Sequence, residues 1–228
     1  MTNPPKEKAG QPGIEALVLA AGEARRFGRP KQLLPWGPDQ TILGHLLKTL
    51  RAEPGIERIN LVLGAWIDEI TATLGERLAE VEIIPNPAWR EGMFSSLCTG
   101  LMRIRDRGHQ PAGILVLLGD MPFLDPATLE RVCRAGREPG PAPVIAVEGG
   151  RPAHPYLVRP HHIGEILSLS GESGIRPFIR KHFAAAARIT VPENAGRHDI
   201  DTWESYFSRR PADSGPVIPP PPATADGL

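Results

Sequence analysis

Apolar positions along this chain alternate between two rhythms. Residues 14–20 (IEALVLA), 58–64 (RINLVLG), 81–84 and 113–118 (GILVLL) are short runs dense in apolar residues. Runs of this length and density mark strands buried on both faces. Between and after them, residues 41–53, 67–78, 93–105 and 126–135 carry apolar side chains three and four positions apart, the spacing of one helical face. In 41–53 that face is Ile42, Leu46, Leu47 and Leu50, and Thr41 stands where an N-cap belongs. The resulting βαβαβαβ order predicts an α/β protein, a three-layer α/β/α sandwich built on a mostly parallel sheet.

The rhythm changes after Pro143. Residues 144–148 and 156–159 read as strands around the turn Gly149-Gly150-Arg151-Pro152. Residues 173–183 read as a helix, 188–192 as a last strand and 202–209 as a closing helix. The two ends differ from this body. Residues 1–13 offer little to bury, and 211–228 hold six prolines and no aromatic residue. Segments of that composition cannot offset their ordering entropy, so both are expected to be disordered, the PPPP run as extended polyproline II. The body, 14–210, contains no linker and is expected to be a single domain.

Composition narrows the function classes. The 228 residues include 26 Lys plus Arg and 26 Asp plus Glu, a formal charge of zero. That argues against a strongly basic nucleic-acid binder and against an acidic solvating protein. No apolar run approaches the ~18 residues that span a bilayer, so no membrane association is expected. The N-terminal residues lack the apolar stretch of a secretory signal. Cys98 and Cys133 lie 35 positions apart with no CxxC spacing, which fits a reducing, cytoplasmic setting.

In open α/β sheets, ligands sit outside the carboxyl ends of the strands, and four loops at such ends are unusual. The first runs from Leu19 through Ala20, Ala21 and Gly22 to Lys31. Its small residues let a ligand approach the backbone, and Gly22 and Gly28 permit turns that aim N–H groups inward. Arg25, Arg26, Arg29 and Lys31 concentrate positive charge there in an otherwise neutral chain. A polyphosphate is one partner for such a loop; an ordinary basic surface loop is the alternative. Neither GxxxxGK[ST] nor GxGxxG is present. The second loop is Leu118-Gly119-Asp120-Met121-Pro122. It holds a carboxylate directly after the central buried strand, suited to a hard cation such as Mg2+, while Asp125 is better placed to cap the next helix. The third, Asn86 to Ser96, opens a helix at Gly92-Met93 with Ser95 and Ser96 in its first turn; it reads either as an oxygen-ligand site or as a capped helix after a proline turn. In the fourth, His198-Asp199-Ile200-Asp201-Thr202, the carboxylates offer a second metal ligand or a helix cap. Other candidates carry bland readings. His161 and His162 are adjacent, so they face apart on a helix and read as a solvated pair. Cys98 reads as a small core residue, and Trp36 and Trp89 as loop anchors or stacking platforms.

These loops resemble the nucleotidyltransferases that complete the molybdenum cofactor. The pattern LAAGxSxRxGxxK runs in register from Leu19 to Lys31, with Arg26, Gly28 and Lys31 in place. NPxWxxGMxSSL matches at 86–97, LGDMP at 118–122, GRPxHP at 150–155, GESGIR at 171–176 and DIDT at 199–202. The LAAG form is similar to the cytidylyl branch. Ala24 replaces the usual serine, and Ala153 replaces a usual glycine.

The resemblance implies a nucleotide-diphospho-sugar transferase-like, Rossmann-like fold and transfer of CMP from CTP to the phosphate of Mo-molybdopterin. The products are the cytosine dinucleotide cofactor and pyrophosphate. It implies Mg2+ bound by Asp120, with Asp201 as second ligand. Arg26, Lys31 and Asp120 would carry catalysis. Leu19, Ala20, Ala21, Gly22, Arg26 and Lys31 would surround the triphosphate. Asn86, Gly92, Ser95 and Ser96 would lie on the base and ribose side, and Arg151 and His154 at the acceptor. Alternatives are transfer from GTP or another nucleotide to a different phosphate acceptor, or delivery of the cofactor to an apo-molybdoenzyme of the xanthine dehydrogenase type.

Overall fold

A computed structural model describes residues 12–24, 27–192, 200 and 202–216. The predicted alternation is present. Strand β1 (Ile14–Leu19) leads to helix α1 (Ile42–Ala52), then β2 (Ile56–Leu63), α2 (Ile67–Leu74), β3 (Val81–Pro85), α3 (Met93–Asp106), β4 (Gly113–Leu118) and α4 (Pro126–Arg137). The remainder is β5 (Val144–Glu148), β6 (Arg151–Val158), α5 (Ile163–Leu167), α6 (Arg176–His182), β7 (Ala187–Thr190) and α7 (Trp203–Arg209). Local chemistry starts the helices where expected. Gly44 N–H donates to Thr41 Oγ1 at 3.0 Å, and the N–H groups of Ala127 and Thr128 donate to the Asp125 carboxylate at 3.0 and 2.9 Å. Each such cap contributes about 1 kcal/mol.

The seven strands form one sheet in the order β3-β2-β1-β4-β6-β5-β7. β1 runs parallel to β2 and β4, and β2 to β3. β6 is antiparallel to both neighbours, and β7 is parallel to β5. The sheet is thus a mostly parallel α/β sheet with one reversed strand. β6 begins at Arg151, five residues before the strand read from the sequence, because it leaves β5 through the Gly149-Gly150 turn and pairs with it at once. β1 and β4 are buried at every position and form the floor of the main core with Leu43, Leu47, Leu101 and Val132.

One charged residue sits inside β1. Glu15 is fully buried; its Oε2 accepts from Arg107 at 3.0 Å and from Asn60 at 2.9 Å. A buried carboxylate is tolerable only when paired and hydrogen-bonded in this way. At the other end of the chain, packing continues past residue 210: Ser214 is buried and its Oγ accepts from Gly37 N–H at 2.9 Å.

Candidate active site

The carboxyl ends of β1 and β4 lie side by side, since Leu19 pairs with Leu118 in register. The two following loops stay in contact. Gly119 N–H donates to Leu19 O at 2.8 Å. A Cβ at Gly119 would fall 2.6 Å from the Ala20 Cβ, so glycine is required for this approach. Ala20 and Ala21 are buried; Ala20 N–H donates to Val62 O at 2.9 Å and Ala65 N–H to Ala21 O at 3.1 Å. For Ala20, whose Cβ faces Gly119, small size serves packing. Gly22 differs: it has no positive φ, and a Cβ there would meet nothing within 4 Å among the described residues.

Lys31 lies in a single turn of 3-10 helix after Pro30, and its Nζ forms an ion pair with Asp120 Oδ2. Both side chains are largely shielded, at 16% and 11% exposure. The two groups that the sequence assigned to triphosphate and cation thus meet at one point. Asp120 is not needed as a cap, because Asp125 does that work. Arg26 and Asp201, expected at the same point, lie outside the described residues, as do Arg25 and Asp199.

A cavity of about 880 Å³ reaches the same strand ends. Leu19 and Leu118, the last residues of β1 and β4, line it, and Phe94, Leu97, Tyr156 and Ile179 contribute apolar walls. His154, Arg176 and Arg180 supply polar groups. Of the expected site residues, Leu19, Gly92 and His154 line this cavity, and Lys31 and Asp120 stand outside it. His154 Nδ1 lies 3.4 Å from Val116 O. A carbonyl only accepts, so Nδ1 carries the proton and Nε2 is left as an acceptor. The ring packs on Tyr156 with centroids 4.6 Å apart. Burial lowers the His154 pKa to about 4, against opposing effects of the Val116 carbonyl and the Asp120 charge; the imidazole is neutral near pH 7. The same burial raises the Tyr156 phenol.

The third loop is held by its own side chains. Asn86 is buried, and its Nδ2 donates to Ser95 Oγ at 2.9 Å and Ser96 Oγ at 3.0 Å. Its Oδ1 accepts from Ala88 N–H at 3.0 Å. This network frames the loop, and Gly92, at φ 101°, makes the sharp entry into α3 that L residues rarely adopt. Arg151 is exposed at the start of β6. Trp36 is buried and anchors its loop. Trp89 packs against Gly64, with the Arg90 guanidinium 4.2 Å from its ring centroid.

Arg176, Arg180, Phe94 and Tyr156 were not singled out by sequence reasoning. Arg176 closes the GESGIR run, and Arg180 follows one helical turn later on the same face, which was the available signal. His162 is a correction. It is buried, not solvated; it accepts from Arg159 N–H at 3.1 Å and packs on Phe178.

Asp120 offers hard oxygen donors to a cation. Among the described residues, the only grouping of three His and carboxylate side chains with ligand atoms within 4.8 Å of one another is Glu15, Glu57 and His109. That grouping lies at the opposite end of β1, where Glu15 is already engaged by Arg107 and Asn60. Asp120 is therefore not part of a ready-made three-ligand cage. It suits a cation that draws most of its ligands from phosphate and water, as Mg2+ does.

The carboxyl ends of two central parallel strands thus carry a lysine loop, a carboxylate loop and a stretch of small residues, at the face of an open α/β sheet where ligands bind. Residues 16–187 match the MobA-like NTP transferase domain; the chain belongs to that family and is a nucleotidyltransferase enzyme. It is 29% identical over 204 residues to a protein named nicotine blue oxidoreductase from Paenarthrobacter nicotinovorans, covering 86% of this chain and 96% of that one. It is 27% identical over 145 residues to the molybdenum cofactor cytidylyltransferase of Escherichia coli K12, covering 64% and 69%. Among solved structures, Rv0371c of Mycobacterium tuberculosis H37Rv superposes with a TM-score of 0.72 at 27% identity, over 87% of this chain and 98% of its own. A second structure of that protein is a complex with manganese, with a TM-score of 0.68 at 27% identity over 86% of this chain and 97% of its own. Among the described residues, no helix is long and apolar enough to cross a membrane.

Proposed function

We propose that the protein transfers CMP from CTP to the phosphate of Mo-molybdopterin, releasing pyrophosphate, with Mg2+ bound at Asp120. The observation that carries this reading is the meeting of Lys31 and Asp120 at the joined ends of β1 and β4, whose last residues, Leu19 and Leu118, line the cavity. Two relatives add support. One is named a cytidylyltransferase for this cofactor, and one has a structure in complex with manganese.

The chemistry follows from charge. A phosphate monoester has its second pKa near 6 and is mostly ionised at neutral pH, so the attacking oxygen needs no general base. That agrees with His154, which burial keeps neutral and only weakly basic. An acceptor phosphate oxygen forms a bond to the α-phosphorus, the bond to the β-phosphate oxygen breaks, and pyrophosphate departs with the charge. The obstacle is the approach of an anion to a polyanion, so positioning and neutralisation dominate. Lys31 and Arg26 are assigned to the triphosphate, and the backbone of Leu19, Ala20, Ala21 and Gly22 to its close approach. The loop framed by Asn86, Ser95 and Ser96, with Gly92, is assigned to base and ribose. His154 Nε2 accepts a hydrogen bond from the acceptor, with Arg151 at its outer side. When bound, Mg2+ supplies charge neutralisation on the phosphate oxygens; Asp120 holds it, with Asp201 as second ligand.

Pyrophosphate release by the purified protein with Mo-loaded molybdopterin and Mg2+ tests this directly. Activity with CTP over GTP, ATP and UTP is expected. Release selective for another nucleotide would replace the base assignment. No release with any nucleotide would leave delivery of the cofactor, or redox chemistry of the kind named in one relative, as the function. Removal of one preorganised charge contact costs about 3 kcal/mol, so Lys31→Ala and Asp120→Ala should each lower turnover at least ~100-fold while remaining folded.

A further inference from the structure

The family match ends at residue 187, yet the helix beyond it grips both halves of the candidate site. α7 contributes Tyr206 to a second hydrophobic cluster, separate from the main core, that also holds Ile200 and the loop residues Phe27, Leu34 and Trp36. Trp203 of α7 and Phe123 pack against it. Phe27 and Trp36 bracket Lys31, and Phe123 lies three residues after Asp120. The contacts are specific. The Trp203 ring stands 5.1 Å from Phe27, and Trp36 meets Phe123 edge-on at 5.1 Å. Tyr206 is fully buried, and its hydroxyl donates to Pro35 O at 2.8 Å. The Arg209 guanidinium lies 6.0 Å from the Phe123 ring centroid.

Resting on the reading of Lys31 and Asp120 as the nucleotide site, we propose that α7 is a clasp. It sets the position of the lysine loop against the aspartate loop, with Trp203 and Tyr206 as positioning residues for nucleotide binding. The described residues of this loop, Ala24 and 27–36, include no α-helix and no strand of the sheet. They are held by this aromatic cluster, which Ile42 of α1 also joins, by the Lys31–Asp120 pair, by the Pro35–Thr41 bridge and by a few turn hydrogen bonds. A loop fixed before the ligand arrives binds with a smaller ordering cost. Trp203 and Tyr206 touch the loop through its apolar side and its Pro35 carbonyl, so their effect reaches nucleotide through Lys31.

Calorimetric titration of CTP with Mg2+ into the full chain, paired with hydrogen–deuterium exchange over residues 27–37, tests the clasp. Trp203→Ala should weaken CTP binding roughly tenfold, whereas Trp203→Phe, which keeps an aromatic face, should stay within about twofold of the unmodified protein. Exchange over 27–37 should accelerate in Trp203→Ala while β1 and β4 keep their protection. Unaltered CTP affinity in folded Trp203→Ala, or unaltered exchange over 27–37, overturns the proposal. If Trp203→Ala does not fold, Tyr206→Phe decides, because it removes only the hydroxyl bonded to Pro35: faster exchange and weaker CTP binding support the clasp, and no change in either defeats it. If the unmodified protein binds no CTP, the nucleotide reading falls, and the clasp is then judged on exchange alone.

Discussion

Gly22 and Gly119 are both glycines in loops at the site, and they are small for different reasons. Gly119 is small because Ala20 leaves no room for a Cβ. Gly22 faces no such neighbour among the described residues, so protein packing does not require its smallness. In the sequence both read alike, as glycines after a buried strand; only the neighbour across the gap separates them. The expected outcome is that Gly22→Ala leaves the melting temperature near that of the unmodified protein and weakens CTP binding roughly tenfold, about 1.4 kcal/mol. Paired thermal melts and CTP titrations check it. Lys31 and Asp120 were legible as candidates because charge in a glycine-rich loop and an acid after a buried strand are local features. Arg176 and Arg180 were harder to read, since nothing local shows that α6 borders the same cavity as β1 and β4.

At the scale of elements, apolar rhythm placed β1 to β4 and α1 to α4, since each buries a face with its own period. It failed on β6, whose first five residues are Arg-Pro-Ala-His-Pro and carry little strand signal. Cross-strand pairing with β5 makes that segment a strand, and the sequence period does not record pairing. His161 and His162 make the same point at the start of α5. Tertiary packing buries one imidazole and leaves its neighbour exposed. Burial, the like charges of His161, His182 and Arg159, and only partial compensation by Glu165 lower the His162 pKa from 6.5 to about 4. The neutral ring accepts the Arg159 N–H; a protonated ring cannot. Because the folded-state value lies below the unfolded one, the unfolded chain takes up this proton first as pH falls. His162 thus contributes to a loss of stability between pH 6.5 and 4, with little further change below. Urea unfolding across that range should show a shallower acid loss in His162→Asn, whose side-chain oxygen can still accept from Arg159.

For the whole molecule, the reading of the site predicts a linked response. A ligand at 100 times its dissociation constant stabilises the folded state by about 2.7 kcal/mol. For a chain of this size that corresponds to a rise of roughly 5–10 °C in melting temperature. CTP with Mg2+ should produce such a shift by scanning calorimetry, and EDTA should remove most of it. An equal shift with EDTA present would show that nucleotide binding does not depend on a cation.

The sequence by itself determined the α/β alternation, the buried runs of β1 and β4, the caps at Thr41 and Asp125, and the loops in which chemistry is concentrated. These are local properties, fixed by spacing and by residues a few positions apart. Tertiary structure alone decided that Lys31 touches Asp120, that Glu15 is paired with Arg107 inside the sheet, that His162 is buried, and that α7 closes over the lysine loop. Each of these joins residues distant in the chain, and such contacts depend on strand order and helix packing, which no local pattern encodes.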